Sequence, residues 1–342
     1  MKKQILKKLS VLGMVLALSV SGLMGCGKTS SQKENISSAD NQLTTIRYGV
    51  MTGNNEHILA LVGIDQGIYQ KHGINLELTE FSTGVEAIGA VTTGELEMAE
   101  VMDFGGINRL GQTASDTNLR ILAQNYVEKE GVGATRLYVN PEKVSSLEDI
   151  KGKKLSVSIG TQNEYFDAKL LESRNLTEDD VEMVPIQSIQ DTVAIAQRGD
   201  IDIVWSGSQF ADKLEDLGWK SILNAEDIGL RNRNLAIGSE EFAKNVDVVS
   251  EYYKARQEVV EYIDKHEDEV ADFIADKLGI TAEQFKAQYD SYSFEAQYTD
   301  DVENSLNELI LWSVNKGNFE SFNLDSVVNT DGLKKAFPDK VK

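Results

Sequence analysis

Residues 146–161, SLEDIKGKKLSVSIGT, pass from a polar turn through a short apolar strand to a glycine-bearing turn. Lys151-Gly152 interrupts the chain, 154–158 has the composition of a strand, and Gly160-Thr161 ends it before 165–174, where apolar residues recur at helical spacing. A strand that feeds a helix through a Gly-Thr turn is one βα unit. Repeated along a chain, such units predict an α/β fold with mainly parallel sheets.

The unit recurs on both sides. Upstream, strands are expected over 45–51, 76–81, 98–102 and 120–124, with helices over 56–66 and 85–93 and a turn-prone Thr52-Gly53-Asn54-Asn55 after the first strand. Downstream, strands are expected over 136–139, 181–185, 201–205 and 220–223, and helices over 191–198 and 209–217. A strand over 234–238 then returns to the first group, so two crossings would form a hinge. The expected division is a first lobe of 45–133 and 239–342, with acidic C-terminal helices, and a second lobe of 134–238.

The first residues differ from all of this. Lys2, Lys3, Lys7 and Lys8 precede an uncharged apolar run over 9–24, too short and too rich in Ser and Gly to span a bilayer comfortably, which reads as a secretory signal peptide over 1–25. The run ends in Leu23-Met24-Gly25-Cys26, and this is the chain's one cysteine, which excludes an intrachain disulfide. The stretch 26–44 is polar, without apolar periodicity, and reads as a flexible linker. The formal charge of the 342 residues is −21, and 30 basic against 55 acidic residues remain once the leader is removed, roughly −25. Such a surface repels nucleic acid. His57, His72 and His266 are scattered and read as surface residues, with no transition-metal pattern and no cofactor motif.

Several of these segments together resemble the nitrate, sulfonate and taurine family of ABC-transporter periplasmic binding proteins, which also contains binders of thiamine-pyrimidine precursors. The resemblance rests on Gly67-Ile68-Tyr69-Gln70-Lys71-His72-Gly73-Ile74, on Thr93-Gly94-Glu95-Leu96-Glu97-Met98-Ala99, on Ser146 to Leu155 followed by Gly160-Thr161 and Tyr165, and on Asp191 to Gly199 with Asp202 and Trp205. Leu23 to Cys26 likewise resembles a bacterial lipobox, which implies a lipid on Cys26 and an anchored protein on the extracytoplasmic face of the cell membrane. The resemblance implies a type II periplasmic-binding-protein-like fold, two α/β lobes joined by a two-crossing hinge. It also implies a monomer that binds a small molecule and is served by ABC permease and ATPase subunits.

Ligands of open α/β sheets sit beyond the carboxyl ends of the strands, where helix N-termini offer unpaired N–H groups. The candidate binding residues are therefore Asn54, Asn55, Glu56, Ser82, Thr83, Gly84, Asp103, Phe104, Gly160, Thr161, Glu164, Asp191, Trp205 and Arg231. Ser82-Thr83-Gly84 and Gly160-Thr161 suit a compact sulfonate-like group, although each turn also reads as a plain helix N-cap. Glu56, Asp103, Glu164 and Asp191, set against Arg231 and Arg109, add the expectation of a nitrogen-bearing end on the ligand, as in an aminosulfonate such as taurine. An aminopyrimidine is the alternative. Relatives carry Pro, His and Glu-Pro where this chain has Asn54-Asn55, Glu164 and Ser206-Gly207, which leaves ligand identity open. An enzyme is not expected: a yeast branch of this resemblance uses a Cys-rich motif and a His, and no G-x-S-x-G, Walker loop or H-E-x-x-H occurs here. A lipid-tethered structural adhesin would share the acidic surface but would not need paired anion-binding turns.

The lipid assignment has a direct test. Cys26→Ala should abolish lipidation and move the protein from the membrane fraction to the soluble one; membrane retention equal to the parent's would refute it.

Overall fold

The computed structural model describes residues 43–342 except 115, 116 and 188. The expected leader, Cys26 and nearly all of the linker lie outside the described residues.

The chain starts as a parallel sheet. In β1 (Thr44–Met51) the alternate residues Ile46, Tyr48 and Val50 are buried, and the strand pairs in parallel with β2 (Ile74–Phe81) on one side and β3 (Met98–Met102) on the other. After β4 (Leu119–Glu128) the chain crosses over 129–134 into a second sheet. This sheet is built from β5 (Thr135–Val139), β6 (Lys154–Val157), β7 (Glu182–Pro185), β8 (Ile203–Gly207) and β9 (Lys220–Asn224). It crosses back over 229–232 into β10 (Arg233–Ser239), and β11 (Tyr292–Ser293) closes the edge. Among the described residues the sheet orders are β11-β4-β10-β3-β1-β2 and β7-β6-β8-β5-β9.

Both sheets are mixed, where mainly parallel ones were expected. β10 runs antiparallel between β3 and β4, and β5 antiparallel between β8 and β9. The reason is topological: a parallel neighbour needs a crossover connection, usually a helix, and these two strands arrive directly from an interlobe crossing. Residues 234–238 belong to the first sheet, as a strand returning to the first group would, although the expected division at 238 counted them with the second lobe.

Helices follow most strand ends. Asn55–Asp65, Gly84–Thr92 and Asp103–Thr113 follow β1, β2 and β3, while Gln162–Ser173 and Ser208–Asp216 follow β6 and β8. The C-terminal helices Val246–Lys265, Glu267–Leu278, Ala282–Asp290 and Asp300–Lys316 pack on the first sheet through Tyr252, Val259, Ile274, Phe285 and Leu306. In the second lobe Leu137, Leu155, Phe166 and Trp205 form the core on one face of the sheet and Tyr138, Val204 and Leu214 that on the other.

Several polar groups lie deep in the first lobe. Arg256 and Glu56 form an ion pair with both side chains 1% exposed, and Arg256 also donates to the carbonyls of Phe294 and Asn125 at 2.9 Å each. His57 is buried too, contrary to the surface position expected: its Nδ1 accepts the Gly53 N–H at 3.1 Å, and desolvation lowers its pKa.

The lobes touch on both flanks. Phe104 stacks on Tyr165 at 5.3 Å, Trp312 meets Tyr165 edge-on at 4.9 Å, and Glu172 of the second lobe accepts from Trp312 Nε1 and pairs with Lys316. On the other flank Gln284 donates to Asp212 at 2.8 Å.

Removing one member of a buried ion pair strands the other. Arg256→Met should cost about 3–5 kcal/mol in urea unfolding, and the Glu56→Leu/Arg256→Met double variant should cost less than the single one.

Candidate functional site

The strand ends of the two lobes face each other across two cavities, of ≈ 180 and ≈ 190 Å³. They share Met51, Ser82, Met102, Asn163 and Asn232 and so form two parts of one interlobe cleft. One part lies against the first β1 turn, the β8 end and the interlobe crossings, with Asn54, Thr135, Trp205 and Gln288 in its wall. The other lies between Ser82-Thr83-Gly84, after β2, and Ser158, Thr161 and Gln162, after β6. Among the described residues no charged side chain lines either part.

Backbone geometry explains the residue types at these turns. A Cβ on Gly84 would lie 2.8 Å from the Glu100 carbonyl oxygen and 2.8 Å from Val101 Cα, so a side chain there would push the turn off the sheet. Gly160 has φ +78°, a left-handed conformation costly for other residues. Thr83 caps its helix in a reciprocal box with Glu86, and Thr161 Oγ1 donates to the Ser158 carbonyl at 2.7 Å. Asn54 is held on three sides: its Oδ1 accepts from Asn55 N–H at 2.8 Å and Tyr126 OH at 2.7 Å, and its Nδ2 donates to Glu100 at 2.9 Å.

Of the expected site residues, Asn54, Ser82, Thr83, Gly84, Thr161 and Trp205 lie on the cleft wall. Trp205 is also 1% exposed and packs edge-on against Phe166, so it belongs to the core of the second lobe as well as to the wall. The others lie elsewhere, Gly160 among them, which shapes its turn without lining either part. Asn55 is turned inward and accepts from Gln288 Nε2 at 3.0 Å; Glu56 is in the core with Arg256; Phe104 is fully buried in the interlobe aromatic contact. Glu164 accepts the Gly160 N–H and so fastens the turn. Asp191 is exposed in the first turn of the helix Ile189–Gln197 and lines neither part. Asp103 and Arg231 line a different cavity, of ≈ 190 Å³, together with Arg233, Asp301 and Glu308. Arg231 is engaged there by the Glu128 carbonyl oxygen.

Sequence reasoning missed Met51, Met102, Asn163, Asn232 and Gln288 on the wall and Glu100 beneath it. Asn163 had a local signal, since it lies in the first helical turn after Gly160; Gln288 arrives from the C-terminal helices and had none. Glu100 is fully buried, with Oε1 accepting Met51 N–H at 2.8 Å and Oε2 accepting Asn54 Nδ2 at 2.9 Å and Asn234 Nδ2 at 2.7 Å. Burial, helped by the nearby charge of Glu56, pushes its carboxyl up to about 8. Burial likewise pushes Asp103 up to about 7, against the Phe104 N–H that it accepts at 2.8 Å and the charge of Arg233. Among the described residues no group of three or more His, Cys, Asp or Glu could hold a metal, and no helix is long and apolar enough to cross a membrane.

Two α/β lobes, joined by two crossings and facing each other with their strand-end turns, define the periplasmic-binding-protein fold. The chain belongs to the family described as NMT1/THI5 like, which matches residues 54–270. Among solved structures it is similar to the periplasmic aliphatic sulphonate binding protein SsuA of Escherichia coli, with 16% identity, coverage of 84% of this chain and 98% of that one, and a TM-score of 0.68. It is similar also to the alkanesulfonate-binding protein SsuA of Xanthomonas axonopodis pv. citri bound to MOPS (14%, 84% and 97%, 0.69) and to the desulfurization enzyme DSZB (16%, 86% and 99%, 0.61). No curated protein sequence matches the chain.

The raised carboxyls set a pH dependence. Glu100 and Asp103 hold protons in the fold that they release near pH 4 when unfolded, so stability falls as pH rises from about 4 through about 7 and 8. Urea unfolding should show a loss on the order of 4 kcal/mol between pH 6 and pH 8.5, smaller in Asp103→Asn. Equal stability at the two pH values would contradict these assignments.

Proposed function

We propose that this protein is the extracytoplasmic solute-binding component of an ABC importer and not an enzyme. On this reading it is a monomer anchored through a lipid on Cys26. It captures a small organic solute between its lobes, with closure about the crossings 129–134 and 229–232, and delivers it to a permease. The observation that carries the reading is the facing pair of turns, Ser82–Gly84 and Ser158–Gln162, at two helix N-termini across one cavity without a charged wall. Helix N-termini and close-approaching backbone favour an oxyanion, and in a desolvated cleft they do so without a formal cation. A sulfonate-like head fits this chemistry.

The nitrogen-bearing end expected from the sequence loses its support, because Glu56, Asp103, Glu164 and Asp191 are all absent from the cleft wall. The part of the solute beyond the head meets Met51, Met102 and Phe210 together with the neutral amides of Asn54, Asn163 and Asn232. Those amides also favour a second reading, an uncharged pyrimidine of the thiamine-precursor type.

Thermal shift and calorimetry on ligand-stripped protein separate the two. A plain alkanesulfonate at a hundredfold excess over its Kd should add about 2.7 kcal/mol of stability, alter Trp205 emission and bind no more weakly than taurine. Binding of an aminopyrimidine alone would select the second reading. No stabilisation by sulfonates, nitrate or pyrimidines would overturn the solute-binding proposal as framed.

A further inference from the structure

Two buried carboxyls that no role described above uses lie one hydrogen bond behind the cleft wall: Glu128, which accepts from Thr135 and Asn232, and Glu100, which accepts from Asn54. Glu100 accepts also from Met51, which lines the cleft as Asn54 does. Its three hydrogen-bond partners are all neutral. The charged and titratable groups that face it are few. Glu56, from the first helix, is neutralised by Arg256 of the helix Val246–Lys265, and the Tyr48 and Tyr126 hydroxyls, from β1 and β4, are held protonated by burial.

The amide of Asn234 adds a second observation. Its Oδ1 is buried without a partner, while its Nδ2 donates to Glu100 at 2.7 Å. Oxygen and nitrogen of an amide exchange places by a half-turn that leaves the other atoms where they are. With the amide turned over, Oδ1 meets Glu100 Oε2 and accepts the proton of a neutral carboxylic acid, Nδ2 takes the place that lacks a partner, and Met51 N–H and Asn54 Nδ2 still donate to the carboxyl.

We propose that Glu100 determines the charge of the solute that the cleft accepts: as the neutral acid bonded to Asn234 it leaves the wall free of negative charge and admits an anionic head, and its ionisation excludes that head. This rests on the reading of the cleft as an oxyanion site. Binding of the anion and retention of the proton support each other, so the solute is held best at and below neutral pH and protons are taken up on binding above it. Glu100→Gln mimics the neutral acid permanently.

Calorimetry with a plain alkanesulfonate across pH 8 to 9.5, above the range of Asp103, tests this. The wild-type Kd should rise on the order of tenfold over that interval, that of Glu100→Gln should stay level, and the two proteins should bind alike at pH 6. In parallel, wild-type binding at pH 8.5 measured in two buffers of different ionisation enthalpy should show proton uptake that Glu100→Gln lacks, which separates Glu100 from Glu128; absence of uptake in the wild type is a readout that needs no variant to fold. A level wild-type Kd without proton uptake would overturn the role of Glu100 and leave sulfonate binding standing. Absence of sulfonate binding by the wild type at every pH would overturn instead the reading of the cleft on which it rests.

Discussion

A guanidinium enclosed away from water must find an acceptor for each of its edges within the protein, and that requirement holds the first lobe together. Arg256 meets it by binding the Glu56 carboxylate, the Asn125 carbonyl and the Phe294 carbonyl. Those partners belong to the first helix, to β4 and to the segment after β11, so one residue of a C-terminal helix fixes three distant parts of the chain. Tyr48 OH donates to the same carboxylate at 3.2 Å and brings in β1. Because an isolated charge here would be costly, the parts cannot shift independently, and the turn that precedes Glu56, with Asn54 on the cleft wall, is set on a rigid base.

The same arrangement separates the charge of the protein from the charge of the cleft. Among the described residues of a chain with 55 acidic residues only neutral groups line the wall, because nearby carboxylates are committed elsewhere. Glu56 is paired, Glu164 fastens the Gly160 turn, Asp103 is at another cavity, and Glu100 lies one layer behind. The acidic exterior acts over the distance at which solutes approach and is screened by salt, whereas the wall acts at contact, where backbone N–H groups and helix ends dominate. Overall charge is thus a poor guide to what such a cleft holds.

The placement of strands and helices was legible because it depends on local periodicity. The strand over 98–102 coincides with β3, and the helix over 56–66 differs by a residue from Asn55–Asp65. Direction was not legible for β5 and β10, since a strand pattern is the same read along either neighbour. For the candidate site, the sequence placed turns at the strand ends but not which of their side chains face the cleft. Successive residues at a helix start are rotated by about 100°, so Asn54 can face the cleft while Asn55 and Glu56 turn into the core. Glu100 was invisible for a related reason: on a strand buried on both faces, nothing in Met98-Ala99-Glu100-Val101-Met102 says which neighbour will surround the carboxyl.

The contacts on the two flanks, Phe104 and Trp312 with Tyr165 on one side and Gln284 with Asp212 on the other, tie the lobes together without any part played by a solute. Whatever free energy they contribute favours the shut arrangement whether or not the cleft is loaded. It shifts the balance between open and shut forms of the unloaded protein, and raises apparent affinity by enlarging the competent fraction. A receptor that recognises only the shut form would then meet unloaded copies as well as loaded ones. If the protein serves an importer as proposed, discrimination between them would fall to whatever the solute adds beyond these flanking contacts, and a cell with abundant copies would trade sensitivity to scarce solute against idle occupation of that importer.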